Sequence, residues 1–567
     1  MHDILNRFVA ALVAVLLVGS AHAADSLATM PPLGIGPYPV ACSNVVQDFT
    51  RLAPGDDVQT YWEGVPRNGS ARYITDLLAD PAHTLGFDLA VPDDRTVFGD
   101  YATRSIPYTV LVCYPTRADN PRPDYLLPNG RAVPHMQQGG AAPIFPDEAS
   151  RYPVLLFSVG LGGSPLSNDY IAALEVFASY GYVVVAPFPG DARIADIRLE
   201  DFNDVLFAIL NFNTFVAMQS LRPLTLEVAL NLVLAHPDYA AHVDPDRIGA
   251  FGASLGAESA LLLTGARLTT TVGQSSQTVI TDPRIRAVAS YVPYFGQSFY
   301  PAFGRNQAGL AGITVPVLAI AGTADTTAPI AATEEGMRQL GGSRILVALN
   351  GVEHGFDTIA TQDIFTWSLV FLAAHVQDDR LARARLARMQ RVGGGVDDGT
   401  RLDYTAPAPA SGWERIVTEF YRPAKDHFFI TADPAETAML AAGNVLPGWM
   451  STGFAFKAWA AGAPYGIATC RFFGTPGIGP DSHFYTNDPG ECAVVRANPA
   501  WTYEGIAFNA FPVVGGDCPP DRIPVIRLYN NGKGGEANHR YTTSRSEIES
   551  TVANGWSVEG PVFCAVP

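Results

Sequence analysis

Ile248-Gly249-Ala250-Phe251-Gly252-Ala253-Ser254-Leu255-Gly256 decides how the rest of this chain is read. The first four residues have strand character, and Glu258 to Leu263 follow as a helical run. Between them stands Gly-x-Ser-x-Gly, in the strand–turn–helix setting that gives the pattern its meaning. A serine on so sharp a turn sits in a strained backbone, and side chains two positions either side of it would collide. Glycine at 252 and 256 removes both. The turn lifts the Ser254 hydroxyl above the carboxyl end of its strand. It also leaves the Leu255 N–H at a helix N-terminus, where it faces developing negative charge. Ser254 is the candidate nucleophile. The pentapeptide alone is a weak signal in a chain with 53 glycines, so the flanking sequence carries the argument.

Outward from the turn, Val154 to Val159, Val183 to Ala186, Ala287 to Val292, Val317 to Ala321 and Ile345 to Leu349 are further short apolar runs. Helical patterns lie between them, around Tyr170 to Tyr180, Leu226 to Ala235 and Ala331 to Leu340. Continuous apolar strands alternating with helices predict an α/β domain, a mostly parallel sheet covered by helices. Tyr108 to Tyr114 reads as a strand near an antiparallel edge, and Pro115 to Pro146 as surface loops. The insert from Arg193 to Arg222 is apolar on several faces (Val205, Leu206, Phe207, Ile209, Leu210, Phe212, Phe215). Packing against the domain is its default reading, and walling the site is the alternative.

Two more residues complete a catalytic constellation. Asp325 follows the strand ending at Ala321, and His354 follows the strand ending at Leu349. The chain order Ser, Asp, His, with acid and base each just past a strand end, is the order a nucleophile of this kind requires. His354 would accept the Ser254 proton, and Asp325 would hold the imidazole in the right tautomer. Bland alternatives stand beside these roles. Asp325 could cap the next helix, and His354 could be a loop histidine with His375 as its rival. One oxyanion donor is expected at the backbone N–H of Leu255. The other is expected at Leu161, in the turn Ser158 to Gly163.

With 567 residues the chain is too long for one ordinary domain. Its net charge of −18 repels phosphate backbones, which excludes nucleic acid as a partner. After Arg7 an apolar run from Phe8 to Val18 leads to Ala21-His22-Ala23. This is the layout of a signal peptide over 1–23, and it places the protein outside the cytoplasm, in a periplasm or secreted. The run falls short of the about 20 apolar residues a bilayer span needs, and no later stretch matches it, so no membrane span is expected. Six cysteines fit an oxidising compartment, and none has zinc-site spacing. Six cysteines allow 15 connectivities. The assignment adopted is one bridge early, Cys42–Cys113, and two late, Cys470–Cys492 and Cys518–Cys564. Neither a metal nor an organic cofactor is implied.

The catalytic domain is assigned to 24–391 and a linker to 392–412, where Gly393-Gly394-Gly395 precedes Ala406-Pro407-Ala408-Pro409-Ala410. Residues 413–567 repeat three times. Phe420-Tyr421-Arg422, Arg471-Phe472-Phe473 and Arg527-Leu528-Tyr529 precede His427, His483 and His539, which are spaced 56 residues apart twice. Each unit continues to a Trp (Trp449, Trp501, Trp556) and a Gly (Gly453, Gly505, Gly560). Such self-similarity predicts repeated supersecondary units in a smaller, β-rich domain. The repeated aromatics and histidines are read as core packing. A glycan or cell-surface polymer is the partner expected if this module binds anything.

Residues from about Pro37 to His375 resemble the dienelactone-hydrolase and platelet-activating-factor acetylhydrolase branch of the α/β-hydrolases. The resemblance rests on Gly36-Pro37-Tyr38-Pro39-Val40, the Phe157 to Gly162 turn, Arg222-Pro223, Asp246-Arg247-Ile248-Gly249, and the Asp325 and His354 motifs. Val159 stands where these families usually carry His, and Ala253 where they often do. Leu161 acts through its backbone and is untouched by the first change. The resemblance implies an α/β-hydrolase fold and a lipase- or esterase-like serine hydrolase. Its substrate would be an ester, whether a small molecule, a lipid or a polymer. A peptidase or acyltransferase with the same triad, and a binding protein on a hydrolase scaffold, are the alternatives. The C-terminal units resemble a repeat family of unknown function found behind bacterial secreted hydrolases.

Overall fold

The structure is a computed structural model that describes residues 29–195, 211–297, 300–355, 360–406, 410–443 and 448–567. The expected signal peptide, most of the apolar insert and the middle of the Ala-Pro stretch lie outside these residues. The chain divides into two compact units. The first comprises Pro32–Asp378 with Gly394–Gly399. The second comprises Asp379–Gly393 and Thr400–Pro567, with the described residues up to Pro31.

The first unit is built on a mixed sheet. Its strands are β1 (Val40–Cys42), β2 (Gly86–Ala90), β3 (Ser105–Pro115), β4 (Tyr152–Ser158), β5 (Val183–Pro187), β6 (Val243–Ala253), β7 (Ile285–Tyr291), β8 (Val317–Gly322) and β9 (Arg344–Leu349). Their order is β1-β3-β5-β4-β6-β7-β8-β9, with β2 on β3. From β5 to β9 every pairing is parallel, while β1, β2 and β5 meet β3 antiparallel. The parallel strands are apolar on both faces because both faces are covered; every residue of β4 and β5 is buried. Its longer helices are α1 (Asn168–Ser179), α2 (Phe212–Ala235), α3 (Leu255–Leu263), α4 (Ile330–Gln339) and α5 (Thr361–His375). The helical pattern read from the sequence starts at Leu226, beyond Pro223, whereas α2 runs through that proline. Almost every side chain from Phe215 to Leu226 is buried there. That packing outweighs the roughly 3 kcal/mol penalty of an interior proline.

Register brings the strand ends together. Ser158 lies opposite Gly252, Ala253 opposite Tyr291, Tyr291 opposite Ile320, and Gly322 opposite Leu349. The carboxyl ends of five strands therefore share one edge, where parallel α/β sheets place their sites.

Between the units the structure departs from the expected linker. Helix α6 (Arg380–Arg388) belongs to the second unit. There Arg388 donates to the carbonyls of Cys518 (2.7 Å), Pro519 (2.7 Å) and Arg522 (3.0 Å). Residues Gly394–Gly399 return to the first unit, where the Val396 N–H meets Asp363 (2.9 Å) and Trp367 Nε1–H meets Asp398 (2.7 Å). A Cβ on Gly395 would lie 1.9 Å from the Asp363 carboxylate. Glycine here permits a close approach of backbone to side chain, where its composition had suggested a flexible tether. Strand β10 (Asp398–Tyr404) then begins in one unit and ends in the other.

The second unit holds three copies of one motif. They are β11 (Glu414–Arg422), β12 (His427–Thr431), α7 (Pro434–Ala442) and β13 (Met450–Trp459); β14 (Ile467–Gly474), β15 (His483–Thr486), α8 (Pro489–Ala497) and β16 (Trp501–Ala510); and β17 (Ile523–Tyr529), β18 (His539–Thr542), α9 (Arg545–Ala553) and β19 (Ser557–Ala565). In each, the first strand pairs antiparallel with the other two. An Asp or Ser opens each helix and accepts from its first-turn N–H groups: Asp433, Asp488 and Ser544. The repeats are tied in all three combinations. Arg471 of the second bridges Glu436 of the first (2.9 Å), and Arg527 of the third bridges Glu491 of the second (3.1 Å). Arg540 of the third bridges Glu419 of the first (2.9 Å). The disulfides are Cys42–Cys113 in the first unit and Cys470–Cys492 and Cys518–Cys564 in the second, the pairing assigned from the sequence.

The repeated rings are core. Phe420, Phe429, Tyr485, Phe508, Tyr541 and Phe563 are buried together. His427 and His539 are buried as well, and His427 Nε2 lies 3.1 Å from His483 Nδ1. Burial pushes the imidazoles of His427 and His539 down to about 3, with His483 adding to the shift at His427 and Arg527 at His539. Both are neutral in the folded protein at pH 7. Once unfolded they take up protons below about 6.5, so folding loses stability as pH falls from there toward 3. The slope is roughly 1 kcal/mol per pH unit for each histidine. Thermal melts of the full chain between pH 7 and 4 should show the second unit's transition falling, and His539→Gln should flatten that fall. An unchanged slope in the variant would exclude His539 as a cause.

Candidate active site

The site is built from turns at the shared strand edge. Ser254 follows β6 and opens α3 with φ +52° and ψ −121°, a conformation only a tightly held residue keeps. Its N–H donates to the Tyr291 carbonyl (3.0 Å), and its carbonyl accepts from the N–H groups of Ala257 (3.0 Å) and Tyr294 (3.1 Å). The flanking glycines are required. A Cβ on Gly252 would lie 2.4 Å from the Gly256 carbonyl, and one on Gly256 would lie 2.0 Å from the Ser158 oxygen. Since backbone surrounds both positions, Gly256→Ala should destabilise the first unit by about 3 kcal/mol or more. The measurement is the denaturant midpoint of that unit's transition, and a midpoint equal to wild type would contradict the packing account.

The three predicted residues meet. His354 Nε2 is 3.0 Å from Ser254 Oγ, and His354 Nδ1 is 2.8 Å from Asp325 Oδ2. The Asp325 side chain is fully buried, while that of His354 is 26% exposed, which leaves the ring open toward a reacting group. Asp325 does not cap the next helix, α4, which has Pro329 at its N-cap and no side-chain cap bond; it holds the turn before that helix. Its Oδ1 accepts from the N–H groups of Thr327 and Ala328 (2.8 Å each), while Oδ2 faces the histidine. The Tyr291 hydroxyl donates to the carbonyl of Gly355, the residue after His354. His375 closes α5 and packs on Phe371, with ring centroids 4.8 Å apart.

The turn after β4 lies against the nucleophile: a Cβ on Gly160 would be 3.4 Å from Ser254 Cβ. The Gly160 N–H donates to Tyr170 Oη (2.9 Å), that of Gly162 to Asp191 Oδ2 (3.1 Å), and that of Gly163 to the Gly160 carbonyl (3.1 Å). Among the described residues the N–H groups of Leu161 and Leu255 donate to no acceptor. These are the two expected oxyanion donors.

Sequence reasoning gave no role to Asp191, Arg222 or Tyr170. They lie on separate elements, so no spacing pattern links them; only the Pro189-Gly190 turn before Asp191 hinted at a special position. It also passed over Glu258, buried one turn into α3, which accepts from Gln219 (2.7 Å). Burial lifts that carboxyl to about 8. No group of three or more His, Cys, Asp or Glu among the described residues is placed to hold a metal ion. Nor is any described helix long and apolar enough to cross a membrane.

Residues 416–566 match a family described as a domain of unknown function, DUF5648. The match spans the three repeats of the second unit and carries no activity with it. No curated protein matches the chain.

Proposed function

We propose that this chain is an exported serine hydrolase of the α/β-hydrolase fold that cleaves carboxylic esters through an acyl-enzyme. The observation that carries the reading is the continuous chain from Ser254 Oγ through His354 to Asp325, at 3.0 and 2.8 Å, with two backbone N–H groups in the adjoining turns that have no acceptor among the described residues. His354 Nε2 takes the hydroxyl proton as Ser254 Oγ bonds to the ester carbonyl carbon. The carbonyl oxygen becomes an oxyanion, which the N–H groups of Leu161 and Leu255 receive. The imidazolium, held by Asp325, returns its proton to the departing alkoxide as the ester C–O bond breaks. Water then repeats the sequence on the acyl-enzyme and releases the acid. Three disulfides support folding in an oxidising compartment, and with the N-terminal leader pattern they support export.

The test is labelling of the full chain with a fluorophosphonate, which needs an activated serine. The adduct is expected on Ser254, with ester hydrolysis lost in proportion to labelling. A folded protein that takes up no phosphonyl group overturns the proposal.

A further inference from the structure

The stretch Val159 to Gly163 belongs to no strand or helix, so the direction of its N–H groups depends on what grips it. Three side chains from different elements do so. Tyr170 Oη accepts from the Gly160 N–H, and Asp191 Oδ2 accepts from the Gly162 N–H. Arg222 Nη2 donates to the carbonyls of Val159 (2.8 Å) and Gly160 (3.1 Å). Asp191 and Arg222 are also bonded to each other, Nε to Oδ1 at 2.9 Å, with side chains 2% and 4% exposed. Arg222 Nη1 lies 3.5 Å from the Ser259 hydroxyl, which donates to the Leu255 carbonyl (2.9 Å). One buried pair thus reaches both the turn that carries Leu161 and the helix that begins with Leu255.

A buried ion pair is weak evidence for stability, because its desolvation cost rivals its attraction. What this pair supplies is direction. It occupies the carbonyls before Leu161 and the N–H after it, while Tyr170 takes the N–H before. Between those two gripped N–H groups, that of Leu161 has no acceptor among the described residues, and its neighbour Gly160 lies against Ser254.

We propose that Asp191, Arg222 and Tyr170 are positioning residues for the oxyanion site: together they hold the turn so that the Leu161 N–H meets the charge that develops on the substrate. This rests on the ester-hydrolase reading. None of the three touches the reacting atoms. Their effect is on the transition state, where a donor placed in advance stabilises charge at no reorganisation cost.

Asp191→Asn is the sharper variant. Both carboxylate oxygens are in use as acceptors, and an amide offers one oxygen, so an NH2 must face either Arg222 Nε or the Gly162 N–H. Tyr170→Phe keeps the ring and removes the hydroxyl that accepts from Gly160, so it serves if Asp191→Asn does not fold.

The experiment measures phosphonylation rate and ester kinetics of the full chain, expressed per active site titrated by the probe. For Asp191→Asn the expected result is a kcat per site lower by about 10²-fold, with KM within about threefold and the titre unchanged. For Tyr170→Phe the same split is expected at about tenfold. Rates per site within about threefold of wild type in the folded variants overturn the inference. So does a loss that appears only as a lower titre, since that marks a role in folding. Wild-type protein that takes up no label at Ser254 overturns the ester-hydrolase reading, and this inference with it.

Discussion

Ser254→Ala should reduce ester turnover by on the order of 10⁴-fold or more and abolish phosphonate labelling, with the fold intact. The size of the effect follows from what remains. Alanine leaves His354 and Asp325 in place but provides no oxygen to accept the acyl group, so only binding and the two backbone donors still act. The backbone cost is small. Ser254 already sits at φ +52°, and its held contacts run through its own N–H and carbonyl, which alanine keeps. The measurement is kcat/KM on a soluble ester together with the melting curve. Turnover within tenfold of wild type would remove Ser254 from the chemistry.

Asp325→Asn should slow turnover by about 10⁴-fold while KM changes little. Asp325 uses both oxygens: Oδ1 accepts from the N–H groups of Thr327 and Ala328, and Oδ2 faces His354 Nδ1. In asparagine the single oxygen goes to the turn, where two donors compete for it, and the NH2 then faces the imidazole. The imidazole must present a lone pair at Nδ1 and place its proton on Nε2. Nε2 is the nitrogen that has to accept from Ser254 Oγ, 3.0 Å away, and in this tautomer it cannot. The same substitution keeps the turn's hydrogen bonds, so stability should fall little. A kcat within tenfold of wild type would show that Asp325 does not set the tautomer.

What sequence could and could not show follows from the range of the interactions involved. Gly252, Ser254 and Gly256 act on one another across a few residues, and the strand and helix on either side are set by local apolar pattern. That is why the turn at Ser254 was readable, and why Asp325 and His354 could be placed by their positions just past two strands. The three repeats of the second unit were readable for a related reason. Each carries its own strand, histidine, helix cap and glycine, so the period survives in the sequence even though the partners lie a repeat away.

The remaining features depend on residues that only folding brings together. Nothing near Asp191 in sequence announces Arg222, and nothing near either announces the turn at Leu161. Their bonds span three elements and arise from the parallel register that aligns Ser158 with Gly252. Helix α2 passes through Pro223 because burial along its length outweighs a local preference for a break. Gly395, local in composition to a linker, packs against Asp363 because glycine alone fits there. Sequence by itself determined the Ser254 turn, the places of Asp325 and His354 just past two strands, the order of strands and helices and the three repeats, since each is encoded within a short window or a fixed period. Tertiary structure decided which side chains grip the turn next to Ser254, which of its N–H groups have no acceptor among the described residues, and where one unit gives way to the next. Those are settled by packing and hydrogen bonding between segments far apart in the chain, where no local pattern reaches.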